Sequence, residues 1–157
     1  MKVRDIMTKN PVTVSADDPV RTAAGLLRNH RIGGLPVMDQ GTLVGVVTES
    51  DIISLLDTGK ISADLWLPSP LEVIEIPLRE IVNWEKTKTA LSHIGETRVR
   101  NIMSHPVITI NEDADIEEAA GLMLAHKIAR LPVVHGGKLT GIVAKADIIR
   151  GVGGAGA

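Results

Sequence analysis

Apolar residues in this chain follow two rhythms, one of period two and one of period three to four, and the whole sequence of rhythms is written twice. Val12-Thr13-Val14 reads as a short strand that stops at the polar, acidic run Ser15-Ala16-Asp17-Asp18. Pro19 suits a first helical turn, and Val20, Ala23, Ala24 and Leu27 then fall at i, i+3, i+4 and i+7, which places one apolar stripe on one helix face. After Ile32, the apolar runs Leu35–Met38 and Leu43–Val47 flank Asp39-Gln40-Gly41-Thr42, the pattern of a hairpin. A second helix is expected from Asp51 to Leu56. The same order returns in Ile108-Thr109-Ile110, the turn Asn111-Glu112-Asp113, the stripe Ile116, Ala119, Ala120, Met123, the hairpin turn His135-Gly136-Gly137-Lys138, and a helix from Asp147 to Arg150. Each copy predicts a β-α-β-β-α unit.

Sliding the chain by 96 positions aligns residues 3–53 with 99–149 without a gap, and 22 of these 51 positions are identical, which marks a duplication. A unit of roughly 50 residues cannot cover both faces of its own sheet, whereas two units packed face to face can. The expected fold is therefore α/β (α+β), two tandem repeats with approximate two-fold symmetry and a cleft between their sheets. The domain limits are 1–56 for the first repeat, 57–98 for an inserted linker, 99–150 for the second repeat and 151–157 for a flexible glycine-rich tail. The insertion is too long for a simple connection. Within it, Val73–Ile76 alternates like a strand, and Pro77 opens an amphipathic helical pattern through Ile81, Trp84, Lys88 and Leu91. Trp84 suits packing of that helix on the module, and Trp66 with its neighbouring prolines suits a partner contact.

Composition narrows the function. A 157-residue chain that is 44% hydrophobic can bury a core, and a net charge of -2 provides no basic excess for a phosphate backbone, so nucleic acid is not expected as a partner. The absence of cysteine excludes disulfides and thiolate metal sites and fits the cytoplasm. The start MKVRDIMTKNPVTV lacks the apolar core of a secretory signal, and no apolar run reaches the ~20 residues that span a bilayer, so no membrane association is expected. Phe and Tyr are absent, leaving Trp66 and Trp84 as the only aromatics, so any ligand must be gripped by aliphatic side chains.

Catalytic constellations are scarce. His30, His93, His105, His126 and His135 show no tight ligand spacing, and neither a nucleophile elbow nor a Walker A motif is present. Gly151-Val152-Gly153-Gly154-Ala155-Gly156 formally matches a dinucleotide fingerprint but has no following helix and strand. No catalytic residue, metal site or obligatory cofactor is expected. The remaining feature is GVVTESDII, residues 45–53, which returns as GIVAKADII, residues 141–149. Thr48-x-x-Asp51 fits a helix capping box. It also fits a nucleotide wall, because a carboxylate can accept both hydroxyls of a ribose and a helix N-terminus with a hydroxyl favours phosphate. Ala144 cannot cap through its side chain, yet Asp147 is retained.

The duplicated order of Ile-Met near the start of each copy, Ala-Ala-Gly-Leu, Leu-Pro-Val and then G-h-h-[ST]-x-x-D-h-h, with h apolar, resembles the CBS domain, named for cystathionine beta-synthase, present as a pair over about two thirds of the chain. The resemblance implies the β-α-β-β-α unit, a pseudo-two-fold pair and commonly a homodimer. It also implies adenosyl ligands such as AMP, ADP, ATP or S-adenosylmethionine in clefts between repeats. By that resemblance the ribose carboxylate falls on Asp51 and Asp147, and the accompanying hydroxyl on Thr48, with Ala144 departing from the pattern. One adenine pocket falls on Ile108, Ile128 and Ala129 and the other on Val12, Ile32 and Gly33. The phosphate-facing position falls on Arg130 and Gly34, of which only Arg130 carries charge; the sequence does not fix which cleft Arg130 serves, and a surface ion pair is its alternative use. The cleft of Thr48, Asp51, Ile108 and Ile128 has the fuller set. The Asp147 cleft should bind more weakly or take a ligand with less phosphate.

The function this implies is a non-enzymatic regulatory module that senses an adenine nucleotide or adenosyl metabolite and passes a conformational change to a separate target protein. Two alternatives stand beside it. One is a structural dimerisation module with degenerate pockets. The other is a nucleic-acid-associated regulator using Arg79, Lys86, Lys88, Arg98 and Arg100, against which the interleaved Glu72, Glu75, Glu80, Glu85 and Glu96 argue.

Overall fold

A computed structural model describes residues 1–56 and 92–154 of the chain. The readings made for Trp66, Trp84, Val73–Ile76 and the helix from Pro77 fall outside the described residues.

The first copy begins with a short helix α1 (Val3–Ile6) and strand β1 (Thr8–Lys9), then runs β2 (Val14–Ser15), α2 (Val20–His30), β3 (Gly34–Asp39), β4 (Thr42–Thr48) and α3 (Glu49–Leu56). The second copy opens with a single 3-10 turn, Val99–Asn101, and continues as β5 (Ile110–Asn111), α4 (Ile116–His126), β6 (Arg130–His135), β7 (Lys138–Ala144) and α5 (Lys145–Gly154). The β-α-β-β-α order is thus present in both. Each hairpin closes on a two-residue turn with positive φ at both positions, 49° and 80° at Gln40 and Gly41 and 57° and 78° at Gly136 and Gly137. That turn type matches the right-handed twist of the flanking strands.

The two heads are exchanged between the copies. β2, β3 and β4 form one sheet, but the other has the order β1-β7-β6-β5, so the first strand of the first copy pairs with the last strand of the second. Reciprocally, Ser104 bridges Val46 of β4, with N–H to carbonyl distances of 2.9 and 3.3 Å. Val99, Ile102 and Met103 pack with the first repeat's core of Val14, Leu27, Leu35, Val37 and Val47, whereas Val3, Ile6 and Met7 pack with Ile110, Met123, Leu131, Val133 and Val143. Val3 and Val99 are fully buried in this exchange, each side chain contributing roughly 1.5–3 kcal/mol of apolar burial to the union of the copies.

Exchange also accounts for the glycine in each GVV or GIV motif. A Cβ on Gly45 would lie 2.7 Å from Met103 Sδ and 2.9 Å from the Ser104 carbonyl, and one on Gly141 would lie 2.6 Å from Met7 Sδ and 2.8 Å from the Thr8 carbonyl. The heads close on the sheets only where no side chain stands between. Two cross-copy ion clusters fasten them: Arg100 donates to Asp17 at 2.7 Å and Asp39 at 3.4 Å, and Arg4 donates to Asp113 at 2.6 Å. The structure departs from the sequence reading at the C-terminal end. α5 continues through Gly154 instead of yielding to a tail at Gly151, and Gly151 packs closely on the side chains of Ile6 and Met1, each 3.0 Å from where its Cβ would stand.

Candidate functional site

Where β4 ends, Thr48 caps α3. The Asp51 N–H donates to Thr48 Oγ1 at 3.2 Å, and the Thr48 N–H donates to Asp51 Oδ2 at 2.9 Å, a complete capping box. In the second copy the Ala144 N–H donates to Asp147 Oδ2 at 2.8 Å. Capping therefore accounts for both aspartates. Loss of the threonine hydroxyl removes one of the two reciprocal bonds and leaves the one that needs the carboxylate. Ala144, which cannot cap through its side chain, thus does not end the capping role of Asp147.

Capping uses one oxygen of each aspartate and the other oxygens differ. Asp51 Oδ1 has no partner among the described residues. Asp147 Oδ1 receives Arg150 Nη2, one helical turn on, and Asp147 is only 6% exposed. The residue equivalent to Arg150 in the first copy is Ser54, whose hydroxyl turns away to the Ser50 carbonyl at 2.7 Å.

Asp51 and Thr48 open onto a cavity of about 310 Å³, within the size range of small-molecule sites. Thr48, Asp51, Ile108, Ile128 and Ala129, expected on one cleft, all line it, and so does Arg130. Val12, Ile32, Gly33 and Asp147 do not. Val12 and Ile32 pack on the first repeat's core, and the Gly33 carbonyl accepts the Glu49 N–H at 3.0 Å. Exchange of the heads explains how repeat 2 reaches a motif of repeat 1: the Ser104–Val46 bridge carries Pro106, Val107 and Ile108 over the end of β4.

Arg130, whose allegiance the sequence left open, belongs to this cavity. Its side chain is half-buried and makes no ion pair or hydrogen bond among the described residues. Burial pushes the guanidinium pKa down from its ordinary value, while the neighbouring carboxylates of Glu49 and then Asp51 push it back up. It remains cationic, a desolvated charge without a fixed partner. Val46, Ser50, Ser104, Pro106, Val107 and Lys127 also line the cavity and were not anticipated. Lys127 could have been found by following α4 to its end: it is the first residue past the helix, left-handed at φ 54°, as its equivalent Arg31 is at φ 52° after α2. Non-glycine residues rarely occupy that region. The cavity wall thus joins aliphatic surfaces from Ile108, Ile128 and Val107, one available carboxylate oxygen, hydroxyl residues Thr48, Ser50 and Ser104, and two cations.

Among the described residues one cluster could hold a metal ion, Glu112, Asp113 and His135, whose ligand atoms lie within 4.8 Å of one another. It lies apart from this cavity, and Asp113 is already paired with Arg4. Arg98 and Arg100, two of the cations considered for nucleic acid, are both paired with Asp17. Arg79, Lys86 and Lys88 lie outside the described residues. No described helix is long and apolar enough to cross a membrane.

The family model described as "CBS domain" matches residues 3–58 and 99–154. The uncharacterised protein MJ1426 of Methanocaldococcus jannaschii is 40% identical over 151 residues, covering 95% of this chain and 89% of its own. Among solved structures, the CBS domain pair of protein MJ0100, in complex with 5-methylthioadenosine and S-adenosyl-L-methionine, superposes with a TM-score of 0.72 at 27% identity, over 99% of this chain and 98% of that one. CBSX2 in complex with AMP superposes with a TM-score of 0.70 at 27% identity and the same coverage.

Proposed function

The chain belongs to the CBS domain family, carrying the domain twice, and from that premise we propose that it is a non-enzymatic sensor of an adenine nucleotide or adenosyl metabolite. The ligand lies in the cavity lined by Thr48, Asp51, Ile108, Ile128, Ala129 and Arg130. One observation carries this reading: a half-buried guanidinium and a carboxylate oxygen, neither with a hydrogen-bond or ion-pair partner among the described residues, face the same aliphatic cavity. An unpaired, partly desolvated cation is costly to keep and becomes favourable when an anionic group arrives. A ribose on Asp51 Oδ1, a phosphate between Arg130 and Lys127, and a base between Ile108 and Ile128 satisfy all three needs at once. Related domain pairs in complex with AMP and with S-adenosyl-L-methionine make adenosyl compounds the class to test.

The Asp147 cleft is the weaker of the two, because its ribose oxygen is held by Arg150 and Gly34 stands where Arg130 stands in the other. Output passes to a target protein through a change in module geometry, which requires the ligand to bind one geometry better than another. The module works as a homodimer in the cytoplasm. Exposed apolar side chains at matching positions of the two copies, Ile53 at 61% and Ile149 at 70%, favour a second copy of the chain as the occupant of that surface.

Thermal denaturation with AMP, ADP, ATP and S-adenosylmethionine tests the reading. At 100 times Kd a ligand adds about 2.7 kcal/mol, which for a chain of this length raises Tm by roughly 5–10 °C. No shift with any of the four would leave a structural dimerisation module as the better account, and sedimentation velocity showing a monomer would remove that account too.

A further inference from the structure

Gly33 and Gly34 have no backbone reason to be glycine. Neither has a positive φ, Gly34 opens β3, and a residue with a side chain would adopt both conformations without strain. What occupies the missing space is the arm of Arg130. A Cβ on Gly34 would lie 2.5 Å from Arg130 Cδ and 2.9 Å from both Nε and Nη1, and a Cβ on Gly33 would press on Nη2. In the second copy the equivalent positions are Ala129 and Arg130 itself, so the first copy is bare where the second carries its long side chain.

We infer that Gly33-Gly34 is a berth that holds the Arg130 side chain, and that these two glycines thereby position the guanidinium for the phosphate of a ligand in the Asp51 cavity. The crowding falls on a flexible side chain and not on backbone, so a methyl group at residue 34 displaces the arginine and leaves the strand intact. The pair of glycines also explains why one copy has the cation and the other does not. Arginines at both 34 and 130 would compete for one trough. The ligand part of this inference rests on the nucleotide reading above; the berth itself does not.

Two measurements on Gly34→Ala and wild type separate them. In NMR spectra, the Arg130 Nε–H signal, assigned by its loss in Arg130→Ala, should be protected from solvent exchange in wild type and lose protection in Gly34→Ala. In calorimetry, Gly34→Ala should weaken AMP about tenfold, the scale of one misplaced charge-assisted hydrogen bond, and leave adenosine affinity unchanged. In the Arg130→Ala background, Gly34→Ala should have no further effect on AMP. An unchanged Nε–H signal in Gly34→Ala overturns the berth. A displaced arginine with unchanged AMP affinity, or with AMP and adenosine weakened alike, overturns the positioning role. If wild type binds no AMP, the nucleotide reading fails, and the exchange measurement alone decides whether the berth exists.

Discussion

Lys127 carries two loads that pull in opposite directions, and replacing it with glycine separates them. At φ 54° it follows the last residue of α4, and its N–H closes that helix on the Met123 carbonyl. A side chain in the left-handed region costs about 1–2 kcal/mol, which glycine avoids. Glycine gives back roughly 0.4–1 kcal/mol through the greater freedom of the unfolded chain. The difference predicts that Lys127→Gly is more stable by about 0.5–1 kcal/mol, or ~2–3 °C in Tm for 157 residues. The same substitution removes a cation from the cavity wall. Because Lys127 is exposed, its contribution to a bound phosphate is scaled down to about 1 kcal/mol, so AMP affinity should fall roughly fivefold while adenosine is unaffected. Arg31→Gly is the control: the same helix end at φ 52°, away from this cavity, should gain similar stability and leave AMP binding alone. Differential scanning calorimetry and titration calorimetry read the two effects. A Lys127→Gly protein that melts higher but binds AMP as tightly as wild type would refute the assignment of Lys127 to phosphate. One that melts lower would refute the strain argument.

Further outcomes follow from the same geometry. Asp51→Asn keeps the size of the side chain and removes the charge, and should abolish most of the ligand-induced rise in Tm, with Asp147→Asn removing a smaller part; equal losses would contradict the ranking of the clefts. Gly45→Ala and Gly141→Ala each force a methyl against a methionine sulfur and a backbone carbonyl of the other copy's head, and should each destabilise by about 1–3 kcal/mol in urea denaturation. Arg150→Ser frees Asp147 Oδ1 and should raise the affinity of the second cleft for adenosine a few-fold, read as a second set of sites in titration calorimetry. The pKa of Asp17 is lowered by its hydrogen bonds and attraction to Arg100, and that of Asp115 by Lys2, from an ordinary value of 3.8. A depressed folded value means stability that is present above about pH 4 and is lost as pH falls through the folded-state pKa. Arg100→Gln should therefore reduce the steepness of acid denaturation below pH 4 and not alter the pH dependence between 6 and 8.

How much of this was legible in the sequence depended on distance along the chain. The hairpins, with Gln40-Gly41 and Gly136-Gly137 at their turns, and the apolar stripes of α2 and α4 are local patterns and were read directly. Self-similarity established that Val3 and Val99 are equivalent, but it holds equally whether a head folds on its own sheet or on the other. Only the pairing of Thr8 with Ile142 decides that. The cavity set of Thr48, Asp51, Ile108, Ile128 and Ala129 was named through the family resemblance, which already pairs one repeat's motif with the other's pocket. Arg130 could not be assigned to a cleft because its direction is set by the absence of side chains at Gly33 and Gly34, nearly one hundred residues away. Lys127 was missed for a different reason: helix ends are usually marked by glycine, and here a lysine takes the left-handed position. The capping role of Asp147 is not legible from Ala144, because a capping box consists of two hydrogen bonds that can be lost separately.

The proposed adenosyl ligand lies between Asp51 of one repeat and Ile108, Ile128 and Arg130 of the other. A crystal structure of the protein grown with saturating AMP tests this placement most directly. The ribose hydroxyls should lie on the Asp51 carboxylate, the base between the two isoleucines and the phosphate on Arg130. An empty Asp51 cavity, or AMP bound only at the Asp147 cleft, would contradict it.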